Sequence, residues 1–212
     1  MKRLAILGAS GHGRVVADAA SLLGWDETVF FDDAWPHRTL SGTWAIVGDT
    51  NTLVETLADY DGVLVAIGDC GVRLEKHLAL RATGAALVSV VHPGAWLSRN
   101  AVLSSGGVLL AGAVVNVGAL LGEACIINSG ATVDHDCTLG DAVHVAPGAH
   151  ISGNVAIGRR SWIGVGACVK HGITIGDDVM VGAGAVVVTQ VSNGLTVVGS
   201  PARPRAKFTE PG

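Results

Sequence analysis

Residues 121–151 read LGEACIINSGATVDHDCTLGDAVHVAPGAHI, and within them Leu121, Ile127, Val133, Leu139, Val145 and Ile151 recur at every sixth position. Followed outward both ways, this aliphatic column runs from Leu97 to Val187 without a break, sixteen positions in all. Two residues before each member lies a second column of mostly small side chains, among them Ala113, Ala119, Cys125, Ala131, Cys137, Ala149, Ala167 and Ala185. A period of six belongs neither to an α-helix nor to an ordinary strand. It suits one side of a triangular coil, in which a short strand and a corner use six residues and three sides make a turn of 18. The aliphatic residue fills the prism, and the small one lets the chain bend at the corner. Each coil buries its apolar edge only by stacking on the next, so the pattern predicts about five stacked coils.

The rest of the composition agrees. Of 212 residues, 49% are apolar but only 4% aromatic, and thirty are glycine, which points to stacked β-structure with tight corners. A formal charge of -4 with no Lys/Arg run leaves no electrostatic footprint for nucleic acid or an anionic membrane. No stretch approaches the ~20 apolar residues of a spanning helix. Met1 to Leu7 runs into a glycine turn rather than into the apolar core of a leader peptide. Cys70, Cys125, Cys137 and Cys168 form no CxxC pair and no zinc-site spacing, so a reduced, cytoplasmic chain without a metal is expected. Asp134 and Asp136 flank His135, but no further ligand follows at a fixed spacing.

Upstream of the repeat the periodicity changes. Leu4 to Leu7 predicts a strand, Gly8-Ala9-Ser10-Gly11-His12-Gly13 a turn, and Arg14 to Leu23 a helix. That order presents backbone N–H groups and a helix N-terminus to a phosphate. Thr28 to Phe31 then predicts a strand that ends in Asp32-Asp33, about twenty residues past the glycines, where acids commonly meet ribose or base. A solvated turn is the other reading of that pair. Gly62 to Ile67 predicts a strand, Val72 to Arg81 a helix, and Leu87 to Val91 a strand, with His92-Pro93 as the boundary. Helical crossovers imply a parallel sheet. Some 90 residues make only about half of a dinucleotide-binding domain. The expected organisation is an α/β Rossmann-like half domain over 1–92, a left-handed parallel β-helix over 93–190, and a C-terminal tail over 191–212.

The hexapeptide pattern over residues 95–188 resembles the left-handed β-helix acyltransferases. With the glycine turn, Phe31-Asp32-Asp33, Ala66-Ile67-Gly68, Asn128-Ser129-Gly130, Asp134-His135-Asp136-Cys137, His144-Val145-Ala146-Pro147-Gly148 and Val198-Gly199-Ser200-Pro201-Ala202, the whole chain resembles the nucleotide-sugar acetyltransferases of bacterial surface-glycan pathways. This family includes 4-amino-sugar N-acetyltransferases and sialic acid O-acetyltransferases. The resemblance implies a homotrimer that uses acetyl-CoA and a nucleotide-linked 4-amino-4,6-dideoxy sugar. His135 takes the place of the catalytic base and Asp136 that of the acid that raises its basicity. Ser10, Gly11 and His12 correspond to the diphosphate-side loop, Asp32, Asp33 and Gly68 to nucleoside contacts, and Asn128 to a position near the reacting sugar. His144, Val165 and Ala183 correspond to contacts along the acetyl-CoA arm.

The repeat adds its own support. Gly153 stands 18 residues beyond His135 and His171 another 18, on one edge, and a glycine beside the histidine leaves a slot for a thin arm and a backbone N–H for an oxyanion. Pro147, Val165 and Ala183 are likewise 18 apart. His37, His77, His92, His150 and His171 read as solvated. An O-acetyltransferase acting on sialic acid and a non-catalytic assembly protein of the same architecture are the other two readings.

Overall fold

The computed structural model describes residues 1–205. Its N-terminal part comprises β1 (Arg3–Leu7), α1 (Gly11–Ser21), β2 (Glu27–Phe31), β3 (Leu40–Ser41), β4 (Trp44–Gly48), α2 (Thr50–Glu55), β5 (Gly62–Val65) and α3 (Cys70–Ala82). The strand order is β3-β4-β2-β1-β5, parallel throughout except for the β3–β4 pair. Parallel strands covered by helices on both faces must be apolar throughout. Leu4, Ile6 and Leu64 pack with α1 on one side, and Ala5, Leu7, Val63 and Val65 join Leu53 and Leu80 on the other. The chain leaves β1 for β2 and β4, then returns to β5 across β1. The loops after β1 and β5 therefore part at a switch point, where sheets of this kind bind ligands.

Sequence reasoning anticipated β1, α1, β2, β5 and α3 but not β3, β4 or α2. α2 has six residues, too few for a helical period, and is defined by Asp49, whose carboxylate accepts the Thr52 N–H at 2.8 Å. The strand expected over Leu87–Val91 divides in two. Leu87 bridges to Val63 of the α/β sheet, whereas β6 (Val90–Val91) pairs with Val108–Leu109 of the repeat.

From β6 onward, two-residue strands recur every six residues, and each pairs in parallel with the strand 18 residues on, as Val114 with Thr132 and Thr132 with His150. The result is a left-handed parallel β-helix with three faces, which begin with β6, with Trp96–Leu97 and with Val102–Leu103 and are here called the first, second and third. The aliphatic column fills the interior from Leu109 to Val187. The small column lies inside as well, with Ala113, Cys125, Ala131 and Cys137 fully buried, so it does not make the bend. The residue just before it does: at every sixth position from Gly106 to Gly184 the backbone is left-handed. Glycine takes eight of these corners, and Ala124, Asp136, Ala142, Asn154, Arg160 and Asp178 take the other six. Winding continues past 190, since Val191 bridges to Ile175 and Thr196–Val198 pairs with Met180–Val181. Part of the stretch set apart as a tail is a last coil.

The two parts share one core. Val90, Val108 and Ile126 project outward from the first face, yet they are buried among α1 and β1 residues. Arg73 of α3, with no exposed surface, locks the contact: Nε donates to the Ala124 carbonyl at 2.8 Å, Nη2 to Ala142 at 2.7 Å, and Nη1 to Ile67 and Gly68 at 2.8 Å each. One turn on, His77 is fully buried against Glu123 at 3.1 Å, which corrects its expected place on the surface. Burial lowers its pKa, and Glu123 opposes the shift. No described helix is long and apolar enough to cross a membrane.

Candidate active site

The glycine turn after β1 is shaped by contacts that only glycine allows. A Cβ on Gly8, whose φ is 108°, would stand 2.9 Å from the Ala66 carbonyl oxygen, and one on Gly13 would strike the Gly8 carbonyl. The turn is clamped through Ala9: Asp32 Oδ2 accepts its N–H at 2.8 Å, and the buried Ser41 hydroxyl donates to its carbonyl at 2.6 Å. Ser10 occupies the N-cap of α1, but its side chain caps nothing. The first-turn N–H groups of α1 and the exposed Ser10 thus lie at the switch point, where an anion would meet the helix end.

Asp32 and Asp33 both do structural work. Asp32 also accepts the Ala34 N–H at 3.0 Å, while Asp33 accepts from the Thr50 N–H and hydroxyl and from Lys76 at 2.8 Å. Burial alone would raise the Asp33 carboxyl, yet Lys76 and Thr50 hold it at about 2. Gly68 lies across the crevice just before α3, in a cleft of about 600 Å³ whose lining includes Cys70, Trp162 and Met180.

His144 stands on the first face where the α/β part meets the prism. It is 3% exposed, its Nε2 is 3.0 Å from Asn128 Nδ2, and its ring lies 4.0 Å from the Trp162 ring and 6.1 Å from His12. His12 Nε2 and His144 Nδ1 are buried and make no hydrogen bond of ordinary geometry among the described residues, although the Gly68 backbone lies near enough to His144 to oppose the effect of burial on its pKa. Two orphaned imidazole nitrogens in one crevice are polar groups that await a ligand. Burial, and after it the nearby Arg73 charge, lowers His12 to about 4 and His144 to about 3, so both are neutral at physiological pH. Trp162 and Arg73 were not singled out from sequence. For Arg73 a signal exists: Cys70, Arg73, Leu74, His77 and Leu80 form one buried helical stripe that holds two basic residues.

His135 lies at the corner between the second and third faces. Its Nδ1 is 2.9 Å from Asp136 Oδ2, and this hydrogen bond, aided by the charges of Asp134 and Asp136, raises the imidazole pKa above its ordinary value. Asp136 occupies a left-handed corner with φ 58°, and its backbone N–H donates to the Val117 carbonyl of the preceding coil. The imidazole lies against Gly153: a Cβ there would stand 2.6 Å from His135 Cε1. The glycine thus makes room for the histidine ring itself, and the slot expected above His135 is filled by it. Gly153 is buried, and its N–H has no acceptor among the described residues. Pro147, Val165 and Ala183 stack exposed at the corner between the first and second faces, through 3.0 Å and 2.8 Å bonds from Gly166 and Gly184 N–H to the Pro147 and Val165 carbonyls.

These groups fall in two places. The crevice with Ser10, His12, Asn128 and His144 opens by the first face and its corner with the second, whereas His135 and Asp136 stand at the far corner of the second face.

A histidine–aspartate pair on the edge of a hexapeptide-repeat prism, with a glycine-turn α/β domain docked on an adjoining face, defines an acyltransferase of the hexapeptide class. Residues 3–78 match the PglD N-terminal domain, and residues 154–189 match the bacterial transferase hexapeptide model of six repeats. The acetyltransferase domain of PglB from Neisseria gonorrhoeae FA1090, solved with acetyl coenzyme A, is 41% identical over 96% of this chain and 99% of its own, with a TM-score of 0.92. A His→Asn variant of perosamine N-acetyltransferase from Caulobacter crescentus, solved with CoA and GDP-perosamine, is 35% identical over 98% of each chain, with a TM-score of 0.92. WeeI from Acinetobacter baumannii AYE is 29% identical over 97% of this chain and 100% of its own, with a TM-score of 0.88. The chain belongs to the family of bacterial acetyl-CoA-dependent sugar N-acetyltransferases.

Proposed function

We propose that this chain transfers the acetyl group of acetyl-CoA to the amine of a nucleotide-linked 4-amino-4,6-dideoxy sugar, a cytoplasmic step in bacterial surface-glycan biosynthesis. The observation that carries the reading is the His135–Asp136 pair. With Asp136 accepting from Nδ1–H, the lone pair sits on Nε2, the state a general base requires. The neutral sugar amine attacks the thioester carbonyl carbon, and His135 takes the proton that the new C–N bond forces off nitrogen. The tetrahedral centre collapses with loss of the C–S bond, and the imidazolium returns its proton to the departing thiolate. The Gly153 N–H is the candidate donor to the oxyanion between these steps. No covalent enzyme intermediate is required.

The nucleotide portion lies in the crevice, with its diphosphate at Ser10, Gly11 and His12, its nucleoside by Asp32, Asp33 and Gly68, and its sugar toward Asn128. His144 faces the acetyl end of the donor, whose arm follows Val165 and Ala183. The separation of these groups across the second face of one prism favours a homotrimer in which His135 and Asp136 of one chain complete the crevice of its neighbour.

Thiol release from acetyl-CoA, followed with UDP-, GDP- and dTDP-linked 4-amino sugars and free sialic acids for wild type and His135→Ala, tests the reading. Turnover of one nucleotide amino sugar that His135→Ala abolishes is the expected outcome. Turnover of free hydroxyl sugars alone moves the chain to O-acetylation, and silence with no CoA binding makes it a non-catalytic assembly protein. Mixed trimers of His135→Ala and His144→Ala chains should recover activity if the site is shared between neighbours.

A further inference from the structure

Arg14 is the fourth residue of α1, so its side chain leans back over Gly11 and Ser10 toward the helix N-terminus. Its Nη2 lies 4.0 Å from the point where a Cβ on Gly11 would stand. Gly42, in the left-handed turn between β3 and β4, leaves space for its stem: a Cβ there would stand 3.3 Å from Arg14 Cδ. The guanidinium has no acceptor and no ion pair among the described residues. No acidic residue occupies the first turn of α1, and the Ser10 side chain does not cap it. A cation at the positive end of a helix opposes the helix dipole, and none of the described residues offsets it. Several other cations are held by a carboxylate: Arg3 by Glu27, Lys76 by Asp33, Arg81 by Glu123 and Arg160 by Asp178. Close by, His144 is buried, and neither its Nδ1 nor the Nε2 of His12 in the first turn makes a hydrogen bond of ordinary geometry among the described residues.

We infer that Arg14 is a specificity-determining ligand for a diphosphate, clamping the bridge of a nucleotide-activated acceptor against the first turn of α1. This assignment rests on the nucleotide-sugar reading above and deepens it. A guanidinium offers paired N–H donors that match two phosphate oxygens, while the helix end supplies backbone donors from the other side. A diphosphate spans both sets of donors with one phosphate for each, a monophosphate meets them through a single centre, and a neutral free sugar brings no anionic oxygen to either. Arg14 thereby selects acceptors joined through a diphosphate.

Titration calorimetry with UDP, GDP and dTDP, and with the matching monophosphates and nucleosides, tests this on the full chain as wild type, Arg14→Ala, Arg14→Lys and Arg14→Glu. The preferred diphosphate should bind Arg14→Ala about 10- to 100-fold more weakly. The loss should be larger for Arg14→Glu and partial for Arg14→Lys, with nucleoside binding and acetyl-CoA binding unchanged. The ligand-free Tm of Arg14→Ala and Arg14→Glu should equal or exceed that of wild type, because the opposed dipole is relieved. Unchanged diphosphate affinity in both variants, or an affinity loss that tracks a fall in Tm, overturns the assignment. A wild type that binds none of the three diphosphates but acetylates a free sugar overturns the nucleotide-sugar reading itself, and this one with it.

Discussion

Replacing Gly153 by alanine should separate catalysis from folding. The new Cβ would stand 2.6 Å from His135 Cε1 and 2.8 Å from Cδ2, against ordinary carbon contacts of about 3.5 Å. The ring must therefore retreat by about 1 Å. It can do so cheaply, because the His135 side chain is 54% exposed. The backbone at Gly153 is not left-handed, so alanine adds no strain there and gains about 0.4–1 kcal/mol by restricting the unfolded chain. The retreat moves Nε2 off its line and disturbs the 2.9 Å bond to Asp136. Misplacement of a reacting group by about 1 Å lowers the rate about 100-fold. Steady-state thiol release should accordingly show kcat/KM down about 100-fold, with Tm unchanged or slightly raised and acetyl-CoA affinity kept. Wild-type turnover by Gly153→Ala would refute the placement of His135 as base, and an unfolded variant would refute the account of the packing.

Asp136→Asn removes the group that raises the His135 pKa, so the acidic limb of the kcat/KM profile should move to lower pH while the plateau falls; an unmoved limb would separate Asp136 from the base. Arg73→Ala leaves the carbonyls of Ile67, Gly68, Ala124 and Ala142 without their donor, and urea denaturation should register a loss of about 3–5 kcal/mol. His12 and His144 titrate at about 4 and about 3 when folded, against ~6.5 in the unfolded chain, which therefore takes up protons first. Stability should be full above ~6.5 and fall as the pH drops toward 4, by at most about 1.4 kcal/mol per pH unit for each histidine. A His12→Asn, His144→Asn chain should show a flatter Tm-against-pH curve over that range.

Much of this was legible without coordinates because the repeat is local. Each hexapeptide carries its own strand and corner, so Leu97 to Val187 specifies a prism by spacing alone, and arithmetic in steps of 18 places Gly153 beside His135. The glycine turn and Asp32 were legible for the same reason: the turn follows β1 directly and Asp32 ends the adjacent strand. The role of the small column was misjudged, because the left-handed residue beside it is often not glycine, as at Ala124 and Ala142. β3 and α2 escaped notice because two and six residues are too few to show a period, whereas β4 carries a readable apolar run from Trp44 to Val47 that no glycine turn or helix pattern flags.

Sequence alone determined the prism, the half domain and the His135–Asp136 pair, since each depends on residues near one another along the chain or at a fixed period. Tertiary structure alone decided how the half domain sits on the prism. That docking turns His77 and Arg73 from helix residues into buried clamps on the corners at Glu123, Ala124 and Ala142. It also places His12 beside His144, and it sends the crevice and the His135–Asp136 pair to opposite corners of one face. Contacts between residues 46 to 132 positions apart obey no local period, and their geometry follows from burying Val90, Val108 and Ile126 beneath α1, which only the folded chain can do.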